Sequence, residues 1–170
     1  MFFYTIAYPY HTILKESPKG EGFSPKDKTL RKFVWEIQKG KKDIVIASRF
    51  IGKIKVLRPV LWYRSIMEKV FCLLRLIIVN NYGVKDTQCG FKVFKREAAL
   101  KIFPLLTIQR FAFDTEIIFL AQKMGFSVKE LPITLQNPPE SHIRILRDSM
   151  NMFCDLLRIR WNDWTGKYNK

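Results

Sequence analysis

The sequence predicts one domain of the α/β or α+β class, on three observations. Short apolar runs alternate with helix-patterned stretches along the chain. One of those runs, Asp43-Ile-Val-Ile-Ala-Ser48, is nearly all apolar, as a strand covered on both faces would be. The chain has 170 residues, 48% hydrophobic and 26% charged, which suits a single packed core and argues against wholesale disorder.

Residues 1–23 read as an irregular N-terminal segment, aromatic and then rich in Lys, Pro and Gly, with a short apolar strand at Phe2–Ala7. A helix follows. Ser24 suits the N-cap, Pro25 the first helical position and Asp27 a returning capping contact. Leu30, Phe33, Val34 and Ile37 mark its apolar face and Gly40 closes it. After the buried strand, residues 64–80 have helical character with apolar side chains on most sides. Gly83–Gly90 is a polar loop leading to a strand at Phe91–Phe94. A short helix over Arg96–Phe103 is stopped by Pro104, and a second over Phe113–Met124 ends at Gly125. Ser127–Leu131 reads as an edge strand, because Pro132 cannot donate to a ladder. The last helix, Asp148–Trp164, carries Met150, Phe153, Cys154, Leu157, Trp161 and Trp164 along one stripe, with Arg158 and Arg160 beside it. The expected division is therefore 1–23 irregular, 24–147 the main domain, and 148–170 a C-terminal amphipathic helix and tail.

Composition narrows the function. Lys and Arg number 30 against 15 Asp and Glu, a net charge of +15, which points to a polyanionic partner. The three cysteines, Cys72, Cys89 and Cys154, have neither CxxC nor metal-ligand spacing, and there are two histidines, so disulfide-scaffold and His-cluster readings are set aside. The most apolar run, Val70–Val79, is broken by Arg75 and falls short of the roughly 20 residues a spanning helix needs. The N-terminus lacks the basic start of a signal peptide. Contact with a membrane is therefore expected at its surface. No nucleic-acid motif accompanies the positive charge, so no nucleic-acid partner is expected.

Three groups of residues have the makings of a site. Asp86-Thr-Gln-Cys-Gly-Phe-Lys92 gathers an acid, an amide, a glycine and a lysine in a loop ahead of a strand, where α/β proteins place binding groups; a polar turn would explain it as well. Asp114 and Glu116 open a helix inside an aromatic stretch, where either a low-dielectric cleft or the helix dipole accounts for carboxylates. Arg49 directly follows the buried strand, and Arg64-Ser65 lies further along a run of cations in which a solvated basic surface explains Lys53, Lys55 and Lys69. The terminal helix suits either a membrane interface or packing on the sheet.

Taken together, Asp43-Ile-Val-Ile-Ala-Ser-Arg49, Arg64-Ser65, Asp86-Thr-Gln-Cys-Gly-Phe-Lys-Val-Phe94 and Phe113-Asp-Thr-Glu116 resemble the dolichyl-phosphate β-glucosyltransferases. These are inverting family 2 glycosyltransferases related to the dolichyl-phosphate mannose synthases. The likeness covers about residues 20–161, and the DTQCGFK string is its most specific part. It implies the C-terminal portion of a GT-A fold, Rossmann-like, in an N-terminally truncated member. It implies transfer of glucose from UDP-glucose to dolichyl or polyprenyl phosphate for N-glycan assembly, with Mg²⁺ or Mn²⁺ as cofactor. On the matching positions, Arg49, Arg64, Ser65 and Lys92 would hold the acceptor phosphate. Asp114, Glu116 and Asp86 would take catalytic positions. Gln88, Ser141 and His142 would bind substrate. A membrane surface is implied as partner, at the endoplasmic reticulum of a eukaryote or the inner face of a prokaryotic plasma membrane. Association with a second copy or with a full-length homologue is implied too.

The sequence departs from the family pattern at the metal motif, where Lys19-Gly20-Glu21-Gly22 stands for an acidic pair and leaves Glu21 as the metal residue. A metal that needs two acidic oxygens is poorly served by one carboxylate and a cation. That departure motivates a second reading, a catalytically impaired module that binds lipid phosphate or anionic membrane.

Overall fold

The computed structural model describes residues 3–7, 12–14, 28–48, 50–51, 62–80, 83–109, 112–133 and 145–169. At its centre Ile44–Ser48 forms strand β3, with every residue buried. A strand buried on both faces needs cover on both, and its sequence neighbours supply it. β3 lies between β4 (Lys92–Lys95) and β5 (Val128–Pro132). Two N-terminal strands, β1 (Phe3–Ala7) and β2 (Thr12–Leu14), extend the sheet to the order β2-β1-β4-β3-β5. β3 pairs with β5 in parallel, Ile44 opposite Val128, and with β4 antiparallel, Ile44 opposite Phe94. β1 is antiparallel to both β2 and β4. A Rossmann-like sheet leads one to expect parallel pairing, yet among the described strands β3–β5 is the one parallel pair. Residues 12–14, expected to be irregular, form a strand paired antiparallel with β1, on the edge of β1 away from β4.

The helices divide between the two faces according to the period-2 alternation of the strands. Val45, Ala47, Val93 and Leu131 meet Phe33 and Ile37 of α1 (Lys28–Gln38). Ile44, Ile46 and Phe94 face the larger core, built with α2 (Trp62–Val79), α3 (Arg96–Ile102), α4 (Phe113–Lys123) and α5 (Ile145–Trp164). The caps expected at Ser24, Pro25 and Asp27 lie outside the described residues. Pro104 falls inside a single 3₁₀ turn, Phe103–Leu105, which ends α3 as its missing N–H requires. Gly125, at φ 75°, closes α4, and Phe126 N–H then donates to the Ala121 carbonyl at 2.9 Å. In α5, Leu156 and Ile159 enter the core, whereas Met150, Leu157, Trp161 and Trp164 of the stripe read from the sequence are exposed.

Asp43 ties three strands together at one end of the sheet. Its carboxylate accepts from Lys95 Nζ at 2.8 Å, from the Ser127 backbone N–H at 2.9 Å and from Ser127 Oγ at 2.7 Å. Burial pushes this carboxyl up, but the bonds from Lys95 and Ser127 outweigh it and hold the group below its ordinary value. A depressed folded-state value stabilises the protein above the unfolded value and loses that contribution as pH falls through the folded one. Asp43→Asn is therefore expected to cost roughly 1–2 kcal/mol near neutral pH. The gap from wild type should close as urea denaturation is repeated from about pH 7 down to about pH 2.5. A gap independent of pH would show that the carboxylate charge contributes nothing.

Candidate active site

The polar loop ahead of β4 is held from below by a strand residue. The backbone N–H groups of Lys85 and Asp86 donate to Glu130 of β5, at 3.0 Å to Oε2 and 2.8 Å to Oε1. Both Asp86 and Thr87 are buried. Arg75, from the middle of α2, is buried as well. Burial lowers its affinity for the proton, opposed by the nearby Cys72, Glu130 and Asp86. A guanidinium on α2 thus sits within the field of the two carboxylates that shape this loop.

The upper part of the loop is joined to the first turn of α4. Gln88 Nε2 donates to Thr115 Oγ1 at 2.9 Å, and the Thr87 hydroxyl stands 3.5 Å from the same oxygen. Lys92 projects from β4 on the Phe94 face, and none of its side chain is exposed. Its ammonium donates to the Cys89 carbonyl at 2.6 Å and to Asp114 Oδ1 at 2.5 Å. Asp114 keeps 14% of its side chain exposed, so it is the member of the pair that a ligand can reach.

Glu116, two residues on, belongs to a different network. It is fully buried. Its carboxylate accepts from Thr107 N–H at 3.0 Å, Thr107 Oγ1 at 2.7 Å, Ile108 N–H at 2.9 Å and Tyr168 OH at 2.6 Å. Asn162 Nδ2 of α5 completes the set by donating to Thr107 Oγ1 at 2.9 Å. Burial, and then the Glu116 carboxylate, push the Tyr168 phenol well above its ordinary value.

Of the residues expected from the sequence, the structure brings Gln88 and Lys92 onto the start of α4, at Thr115 and Asp114, keeps Asp86 buried in the same loop near Arg75, and places Glu116 on an anchoring network of its own. Arg64 and Ser65 fall in the first turn of α2, with side chains outside the described residues. Arg49, Ser141, His142 and Glu21 also lie outside them. Among the described residues no group of three His, Cys, Asp or Glu stands where it would hold a metal ion. Asp114 is matched by Lys92 and Asp86 is buried, so neither presents the open pair of carboxylates that a divalent cation takes. Sequence reasoning missed Arg75, Thr115, Glu130 and Tyr168. Arg75 had a local signal, since a lone arginine in an apolar run asks for a buried partner. Glu130 had none, its partners being more than forty residues away in the chain.

Comparison with known proteins adds relatives. No family model matches the chain. It is 37% identical over 128 residues to the dolichyl-phosphate beta-glucosyltransferase of Dictyostelium discoideum, across 75% of this chain and 37% of that protein. It is 42% identical over 93 residues to the Saccharomyces cerevisiae protein of that name, across 55% of this chain and 28% of the yeast one. With the human protein of that name it shares 37% identity over 86 residues, across 51% of this chain and 26% of the human one. The chain spans about two fifths or less of the length of these relatives. Over that span the chain is similar to the dolichyl-phosphate β-glucosyltransferases.

Proposed function

We propose that this chain carries the acceptor and catalytic part of a glucosyltransferase that moves glucose from UDP-glucose to dolichyl or polyprenyl phosphate, within a GT-A fold. The single observation that carries the reading is the Lys92–Asp114 pair, which links the DTQCGFK segment to the start of α4 with its lysine wholly buried. The relatives named above supply the substrate class through their names. In the reaction an acceptor phosphate oxygen forms a bond to C1 of glucose as the bond from C1 to the UDP oxygen breaks, with inversion. The acceptor is already an anion, so it needs orientation more than deprotonation. Asp114, steadied by Lys92, is placed to accept a hydrogen bond from a sugar hydroxyl, and Gln88 and Asp86 shape the loop beside it. Arg49, Arg64 and Ser65 are proposed to meet the lipid phosphate, and Ser141 and His142 to bind substrate. The divalent ion, Mg²⁺ or Mn²⁺, would rest on residues outside the described ones, Glu21 among them, and no step above passes through it. A polyprenyl phosphate is dissolved in a bilayer, so the reaction takes place at a membrane surface, proposed to be that of the endoplasmic reticulum in a eukaryote.

Transfer of labelled glucose from UDP-glucose to dolichyl phosphate tests the reading directly. Asp114→Asn should lower turnover by about a hundredfold or more. The same change removes the charge matching a buried ammonium, and should cost about 3 kcal/mol of stability. The double variant Asp114→Asn/Lys92→Met should recover part of that stability and none of the turnover. Full turnover in folded Asp114→Asn would overturn the assignment. Tyr168→Phe provides the contrast, since it withdraws one donor from Glu116 without touching the Lys92 pair. It should lower stability by about 1.5–3 kcal/mol in chemical denaturation and leave the turnover of the folded protein near that of wild type.

A further inference from the structure

Two side-chain rungs join the DTQCGFK loop to the start of α4, and neighbouring residues supply them on both sides. The first is the Lys92–Asp114 pair, whose ammonium also takes the Cys89 carbonyl. The second runs from Gln88 Nε2 to Thr115 Oγ1 at 2.9 Å, with the Thr87 hydroxyl 3.5 Å from the same oxygen. Thr115 is fully buried, Thr87 is buried, and Gln88 is half-buried. Valine has the shape of threonine, so packing alone does not call for a hydroxyl at position 115. A glutamine that reaches solvent can be satisfied by water, so the fold does not need its amide held in one sense.

The second rung sets which way that amide faces. A helical threonine has a carbonyl one turn back to take its own hydroxyl proton, which leaves Oγ1 as an acceptor. Gln88 meets it with nitrogen, and the amide oxygen is turned to the other side. Among the described residues none donates to Gln88 Oε1 or to Asp114 Oδ2. Each rung therefore commits one atom to the fold and leaves one oxygen for a ligand. Both oxygens are acceptors, so they suit donors. Sugar hydroxyls donate and ionised phosphates do not, so this end of the site favours the sugar half of a nucleotide sugar over its phosphates.

We propose that Thr115 is a positioning residue, whose hydroxyl holds the Gln88 carboxamide with Oε1 toward the transferred sugar. There Gln88 Oε1 and the Asp114 carboxylate each accept from a sugar hydroxyl. This deepens the function proposed above, resting on it for the identity of the sugar donor, and adds the residue that orders the sugar end of the site. Without the hydroxyl the amide turns freely, and its ordering has to accompany binding. Immobilising one such side chain corresponds to about tenfold in affinity.

The test reads the purified chain in two assays. In nuclear magnetic resonance of isotope-labelled protein, the Gln88 side-chain amide signals should shift with UDP-glucose and not with UDP. In Thr115→Val, with circular dichroism unchanged, that amide should exchange faster with solvent and its response to UDP-glucose should weaken about tenfold. In glucose transfer the KM for UDP-glucose should rise about tenfold with a smaller change in kcat. Thr115→Ser should restore both, and Thr115→Val/Gln88→Ala should be no worse than Gln88→Ala alone. Thr115→Ala, which removes the hydroxyl with a better helix former, is read in the same way if valine disturbs the fold. Wild-type behaviour of the folded variants lacking the hydroxyl would overturn the proposal, as would additive losses in the double variant. So would a Gln88 amide that ignores UDP-glucose or responds equally to UDP. A Gln88 response to UDP-glucose that Thr115→Val weakens, in a chain that transfers no glucose, leaves this proposal standing and removes the transferase reading; unchanged transfer by folded Thr115→Val does the reverse.

Discussion

Lys92 carries its ammonium into a place with no solvent, and the arrangement around it follows from that constraint. A buried ammonium must be hydrogen-bonded and charge-matched, and the Cys89 carbonyl and Asp114 do both. The loop residue Cys89 and the helix residue Asp114 are thereby fixed to one strand atom. Replacing such a pair with apolar residues of similar volume is often neutral or stabilising. Stability by itself therefore gives no account of why lysine and aspartate stand here, and a partly open carboxylate beside a buried cation fits a binding role.

The two acids at the start of α4 show how partners divide roles between neighbours. Both gain from the helix dipole. Asp114 faces β4, while Glu116 takes its donors from residues 107–108 and from Tyr168 near the end of the chain. The tail is consequently tied to the helix that bears Asp114, and α4 is anchored on the side away from the Lys92 pair. Glu130 does the same for the loop from the opposite direction, through its backbone N–H groups. The loop and the helix thus reach the site already ordered by carboxylates that are occupied with backbone donors.

The legible parts of the fold were those set by local chemistry. The buried strand at 44–48, the stop at Pro104, the glycine closing α4 and the edge position of β5 each follow from a residue's own backbone limits or from a short pattern. Strand direction was not legible, because parallel and antiparallel partners can present the same apolar run. Of the site, the DTQCGFK loop and Asp114 were legible as a cluster of unusual residue types. Their mutual contact was not, since Lys92 and Asp114 are 22 positions apart and no local rule pairs them. Arg75 was visible only as an interruption of an apolar run, and its carboxylate neighbours came from β5 and the loop.

The terminal helix carries the same lesson in reverse. Its most regular apolar stripe, through Leu157, Trp161 and Trp164, is the pattern a reader would assign to the core, yet Leu156 and Ile159 are the residues that enter it. Periodicity identifies an apolar face without saying what covers that face. Here the helix has more apolar surface than one sheet can bury, and α2 beside it has the same excess. Two neighbouring helices that each satisfy the core with one side and leave a second apolar side outward have a surplus that core packing does not explain.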